Sequence, residues 1–188
     1  MSYASAEHDR MIAGLIKSCY VVAVDLAASP PTCRVSDGQW VSAWVRWHSV
    51  AAGQARHWRA PSMGEQGVLV SPSGELAMGT FVPGLYGDAG PPPDNRDHVE
   101  VWRFEDGGSL VYDWLAKTYT IDLPSGTSVT VKVGGSVFDV TPDQIRAVST
   151  EIVLVGPVTI DGPLKVSGDI NGAGKIIDAG GNTPNHQH

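Results

Sequence analysis

The sequence predicts an all-β protein: a small closed barrel, then an intertwined trimeric β-helix or β-prism with a pointed apex. Three observations carry this. Glycine (22) and proline (13) are abundant among 188 residues, and both weaken long helices. Short apolar–polar alternations recur between turn signals. The later pieces hold stripes of valine and isoleucine but too little bulk for a core within one chain.

Residues 1–13 read as an N-terminal arm, with a short helix over 4–13 and Ser5 as its N-cap. Residues 14–87 then turn to strands, expected at 15–26, 32–35, 39–47, 67–70 and 76–82. The breaks are Pro30-Pro31, Asp37-Gly38, Pro61 and Pro72-Ser73-Gly74. Asp37-Gly38 is a hairpin turn signal, and five short strands suit a small closed barrel. Residues 88–97, DAGPPPDNRD, have no apolar residue to anchor them to a core. Three successive prolines make this stretch a stiff, extended linker.

From His98 the texture is a cadence of a few strand residues and a tight turn. Pieces fall at 109–112, 118–123, 128–133, 136–140, 145–150, 152–155, 158–160 and 164–166. In the 127–133 run, Val129, Val131 and Val133 share one face, with Ser128, Thr130 and Lys132 on the other. Pieces this short bury little alone. Three chains wound together would cover each stripe with two neighbours and leave no open sheet edge. The expectation is a homotrimeric β-helix over 98–170 and an apex over 171–188.

Composition narrows the function classes. The net charge is −7 and lysines and arginines form no cluster, which argues against binding nucleic acid or anionic lipid through phosphates. Cys19 and Cys33 make no disulfide framework and are expected as reduced thiols. The N-terminus does not resemble a signal peptide, and no apolar run approaches the ~20 residues of a membrane-spanning helix. The expectation is a soluble protein made in a cytoplasm.

Catalytic signals are weak. Glu65, Asp88, Glu100, Glu105 and Asp106 could be imagined as carboxylate pairs for glycoside hydrolysis, but their spacing gives no reason for two to converge. There is no G-x-S-x-G elbow, Walker loop or G-x-G-x-x-G fingerprint. No catalytic residue, enzyme activity or small-molecule substrate is expected. His8, His48, His57 and His98 are scattered. Trp40, Trp44, Trp47 and Trp58 could stack bases, although the acidic balance favours packing roles.

His186 and His188 differ from these. Residues i and i+2 of an extended strand point to one side, so three chains would bring six imidazoles to a threefold axis. An octahedral all-nitrogen site does not suit zinc and does suit Fe(II) or Ni(II), with iron favoured on availability. The plain alternative is a solvated polar tail or the remnant of a purification tag.

The stretch WRAPSMGEQGV at 58–68, followed by Ser71-Pro72-Ser73-Gly74, resembles the signature of the phage baseplate assembly protein V family. Gly14, Val24-Asp25, Gly79 and Pro83-Gly84-Leu85 are similar too. The resemblance covers nearly the whole chain. It implies an N-terminal OB-fold barrel and a trimeric β-helix. At the apex, His186 and His188 of each chain would hold one iron ion per trimer. It also implies a job: the central spike of a contractile phage tail, at the baseplate tip of the virion. Such a spike closes the tube beneath a hub protein and pierces the host outer membrane during contraction. Spikes of contractile bacteriocins or type VI secretion systems are the near alternatives, and a tail-associated cell-wall hydrolase is a more distant one.

Overall fold

The computed structural model describes residues 3–174. The chain divides into two compact units, Met1–Pro124 and Ser125–His188.

The first unit opens with helix α1 (Tyr3–Leu15). Its end rests on a turn of the barrel at a glycine–glycine contact: a Cβ on Gly14 would sit 2.5 Å from the Gly74 carbonyl oxygen. The barrel strands are β1 (Ile16–Asp25), β2 (Thr32–Ser36), β3 (Arg46–Trp47), β4 (Gln66–Val70) and β5 (Thr80–Leu85). Their order is β2-β1-β4-β5-β3, with β3 parallel to β5 and the other pairs antiparallel. Val45, just before β3, exchanges both backbone hydrogen bonds with Cys33 of β2, at 2.8 and 2.9 Å. That pair nearly closes the ring, as in a five-stranded OB barrel.

Period-two alternation fills the barrel. Cys19 and Val21 point inward from β1, Cys33 and Val35 from β2, Leu69 from β4 and Phe81 from β5, with Val45 completing the cluster. Phe81, Leu69, Cys33 and Val35 are fully buried.

Two expected strands differ. The 39–47 piece is a regular strand only at Arg46–Trp47, because Ser42 interrupts its ladder. The Val35 amide donates to the Ser42 hydroxyl at 2.9 Å, while the Ser42 amide donates to the Val35 carbonyl at 2.8 Å. The 76–82 piece begins as a 3-10 turn, Leu76–Met78, and becomes strand only at Thr80. The Asp37-Gly38 turn forms as expected: the Asp37 carboxylate accepts the amides of Gln39 and Trp40 at 2.9 and 3.1 Å.

The first unit also holds the proline-rich stretch and a three-stranded meander, β6 (Val99–Arg103), β7 (Ser109–Asp113) and β8 (Thr118–Asp122). The proline-rich stretch has a polar anchor that the sequence did not advertise. Arg96 pairs with Asp94 at 2.7 Å and with Asp113 on β7 at 3.2 Å.

The second unit contains another meander, β9 (Val129–Val133), β10 (Ser136–Val140) and β11 (Ile145–Val148). Residues 149–174 form no strand, so the pieces expected at 152–155, 158–160 and 164–166 find no partner strand among the described residues.

Candidate functional site

The loop entering β4 is held by the residues of the WRAPSMGEQ stretch. The Glu65 carboxylate takes both arms of the Arg59 guanidinium, one at 3.0 Å, and also accepts the Ser62 amide at 2.9 Å. Bidentate charged contacts of this kind fix geometry as well as adding energy. The backbone on either side is tied to β1: the Val21 amide donates to the Glu65 carbonyl at 3.0 Å, and the Gly64 amide to the Val21 carbonyl at 2.8 Å. Gly67 follows because the Phe81 ring lies against its backbone. A Cβ there would fall 2.5 Å from the ring and 2.3 Å from the Val82 carbonyl oxygen. Arg59, Ser62, Gly64, Glu65 and Gly67 therefore each have a structural use, and Glu65 has both carboxylate oxygens occupied.

Two of the other candidate carboxylates, Glu100 and Asp106, have local partners too. Glu100 accepts the Trp102 indole N–H at 3.1 Å, and Asp106 accepts the Gly108 amide at 2.9 Å in the β6–β7 turn. Glu65 and Glu105 line one open groove with Arg59, the prolines 91–93 and Trp102. A glycosidase needs one carboxyl free to act as acid and a second free as base or nucleophile, and Glu65 is bound on both oxygens. The tryptophans divide. Trp40 and Trp47 pack against the barrel core, while Trp44 and Trp58 remain largely exposed. Trp58 lies 5.7 Å from Trp47, and Arg34 lies 5.8 Å from the Trp44 ring.

Cys19 and Cys33 are free, buried thiols. Loss of hydration pushes both up to about 11, so neither is a ready nucleophile. His57 meets Trp102 edge-on at 6.2 Å, and His98 contacts Asp97 at 3.0 Å. Among the described residues, no cluster of three or more histidine, cysteine or acidic side chains is placed to hold a metal ion. His186 and His188 lie outside the described residues.

The most unusual surface belongs to the two meanders. The β9–β10–β11 register sets Val131 beside Phe138 and Phe138 beside Ala147, and sets Val129 beside Val140 and Val140 beside Ile145. Alternation puts all six on one face, where Val131, Phe138 and Ile145 stay exposed. The opposite face carries a polar row. The Thr130 hydroxyl donates to Asp139 at 2.7 Å, and Arg146 stands 3.8 Å from the same carboxylate. In the β6–β7–β8 meander, Trp102, Leu110 and Ile121 form one row and Glu100, Tyr112 and Tyr119 the next, all on one face. An apolar sheet face left bare in this way calls for a covering partner.

Comparison with known proteins gives both regions a kin group. Residues 17–86 match the family described as the type VI secretion system/phage-baseplate injector OB domain. Residues 100–172 match the family described as the Gp138 beta helical trimerization domain. The chain is also similar to the spike protein of Escherichia phage P2, at 32% identity over 152 residues, covering 80% of this chain and 70% of the relative.

Proposed function

We propose a structural role from one premise: the chain belongs to the phage baseplate spike family. Three copies assemble through residues 100–172 and form the central spike at the tip of a contractile tail. The observation that carries this is the bare apolar face of the β9–β11 meander, set within a span that matches a trimerization domain. Two further copies would bury those faces and satisfy the sheet edges together.

The barrels of three chains would dock beneath a tail hub protein, and the β-helix would point toward the host. Contraction would drive the tip through the outer membrane as a rigid body. No helix among the described residues is long and apolar enough to cross a membrane, in keeping with piercing rather than insertion. The spike acts mechanically, without enzymatic turnover. A phage tail is preferred to a type VI or bacteriocin apparatus because the similar spike is a phage protein.

His186 and His188 of each chain would supply six neutral imidazole nitrogens to one iron ion per trimer. An ion bound there would clamp the three chain ends together, and its occupancy would fall as the imidazoles protonate below ~6.5.

Light scattering tests the assembly. A mass near 60 kDa, three times the 19.9 kDa chain, is expected. Antibody labelling of virions should mark the distal end of the tail. A monomer, or label along the sheath, overturns the proposal. Elemental analysis should give about one iron per three chains, lost on replacing both histidines with alanine while the trimer persists. Absence of metal in protein prepared without chelator would sink the iron assignment alone.

A further inference from the structure

Residues 87–98 join the barrel to the first meander. Their composition alone describes a plain spacer, polar, rich in proline and without an apolar anchor. The folded chain instead fastens them at both ends, and all of these contacts lie within the first unit.

The barrel end is held by the loop entering β4. Gly87 lies against the side chain of Gln66, the first residue of β4. A Cβ on Gly87 would overlap that carboxamide, 2.8 Å from its nitrogen. Two residues on, the Ala89 methyl sits over Gly64, where a Cβ would approach it to 3.2 Å. Gly64 also holds a φ of 79°, a conformation that suits glycine. Between these contacts the Gly87 and Gly90 amides each donate to the other's carbonyl, at 3.1 and 3.0 Å. Pro91, Pro92 and Pro93 follow, each with φ fixed by its ring.

The meander end is held by charge and by backbone. Arg96 grips Asp94 through two nitrogens, at 3.0 and 2.7 Å, and reaches one oxygen of Asp113 with a third, at 3.2 Å. The other Asp113 oxygen accepts the Leu115 and Ala116 amides, at 3.0 and 2.8 Å. The guanidinium is thereby tied to the β7–β8 turn itself. The Trp114 amide of that turn donates to the His98 carbonyl at 3.2 Å. An exposed ion pair of this sort is weak alone. Joined through a stiff middle to a second set of contacts, it becomes one member of a network whose parts couple.

We propose that residues 87–98 are a strap that locks the barrel and the β6–β8 meander into one rigid body, with Gly64 and Gln66 as its socket on the barrel. The signature stretch then has two jobs. Glu65 closes the loop on itself, and the residues on either side of it seat the strap. Under the spike reading, a push entering the barrel passes to the meander without bending at the prolines. That use rests on the spike reading, whereas the coupling does not.

Amide hydrogen exchange on the full-length protein follows both ends at once. A strap couples its ends, but a tether responds only where it is cut. Arg96→Ala, at the meander end, should speed exchange at the Gly87 and Gly90 amides roughly tenfold or more. Gln66→Ala, at the barrel end, should do the same at the Trp114 amide. Asp88→Ala removes none of these contacts and should change neither. Exchange at Leu69 reports on the barrel core. If Gln66→Ala loosens that core, Arg96→Ala decides alone, since Arg96 lies outside the barrel. Effects confined to the substituted end overturn the coupling, and so does the absence of any effect. Light scattering on the same samples reads the separate question: a monomeric unmodified chain overturns the spike reading and leaves the coupling to be judged by the exchange.

Discussion

Valine behaves in opposite ways in two regions of this molecule. In the barrel, Val21 and Val35 are 1% and 0% exposed, whereas beyond residue 125 Val133 and Val155 are 76% and 95% exposed. Both regions alternate, and both place valine on one face of a strand-like segment. The difference is closure. The barrel nearly closes its ring with its own Cys33–Val45 pair and fills the inside with Phe81 and Leu69. The described residues of the later region form an open three-stranded meander, and its one large side chain, Phe138, lies 46% exposed on the bare face. A repeated apolar pattern therefore reports that burial occurs, without saying whether one chain completes it.

The largest effect that would break this contrast is a charge on the bare face of the second meander. Val131→Asp should abolish the trimer by sedimentation or light scattering, since three carboxylates would be buried together at a cost of several kcal/mol each. Lys132→Asp, on the opposite face, should leave it intact. Next is the barrel core. Phe81→Ala should cost about 3–5 kcal/mol, seen in calorimetry as a lowered barrel transition while the C-terminal transition stays in place. Gly67→Ala should act in the same direction, because its Cβ meets both the Phe81 ring and the Val82 carbonyl.

A smaller effect sharpens the account of the signature loop. Glu65→Ala should destabilise the barrel by roughly 1–3 kcal/mol, because the Ser62 amide loses its acceptor along with the guanidinium. Arg59→Ala should cost under about 1 kcal/mol, since half of that side chain remains in water. The smallest effect is alkaline. Folding holds the Cys19 and Cys33 thiols up at about 11, against ~8.5 in an unfolded chain. Between those values the unfolded chain releases protons that the folded chain retains, so stability falls as the pH rises. The barrel melting temperature should drop by a few degrees between pH 8 and pH 10.5, and Cys→Ala at both positions should flatten that slope.

The barrel strands were legible where alternation was uninterrupted, as in β1 and β4. The closure was not. Arg46 and Trp47 form the parallel pair with β5, and two residues carry no periodicity. Ser42 acts there through its hydroxyl, which no pattern of apolar residues records. Strand β6 escaped notice because Val99, Val101 and Trp102 sit among Glu100 and Arg103. The Glu65 lock was partly visible as a motif, but its partners Arg59 and Ser62 could only be assigned once the loop was seen folded. For residues 149–174 the sequence carries strand-like pieces and the single chain forms no strand, because alternation records a face to be covered without recording what covers it. The histidine pair remains a matter of sequence, as His186 and His188 lie outside the described residues.

The glycine–glycine contact under helix α1 decides how that helix answers substitution. A Cβ on Gly14 would meet the Gly74 carbonyl oxygen at 2.5 Å, and one on Gly74 would meet the Met11 carbonyl oxygen at 2.3 Å. Both obstacles are backbone, which cannot swing aside as a side-chain tip can, so alanine at either position would lift the end of the helix off the barrel as a unit.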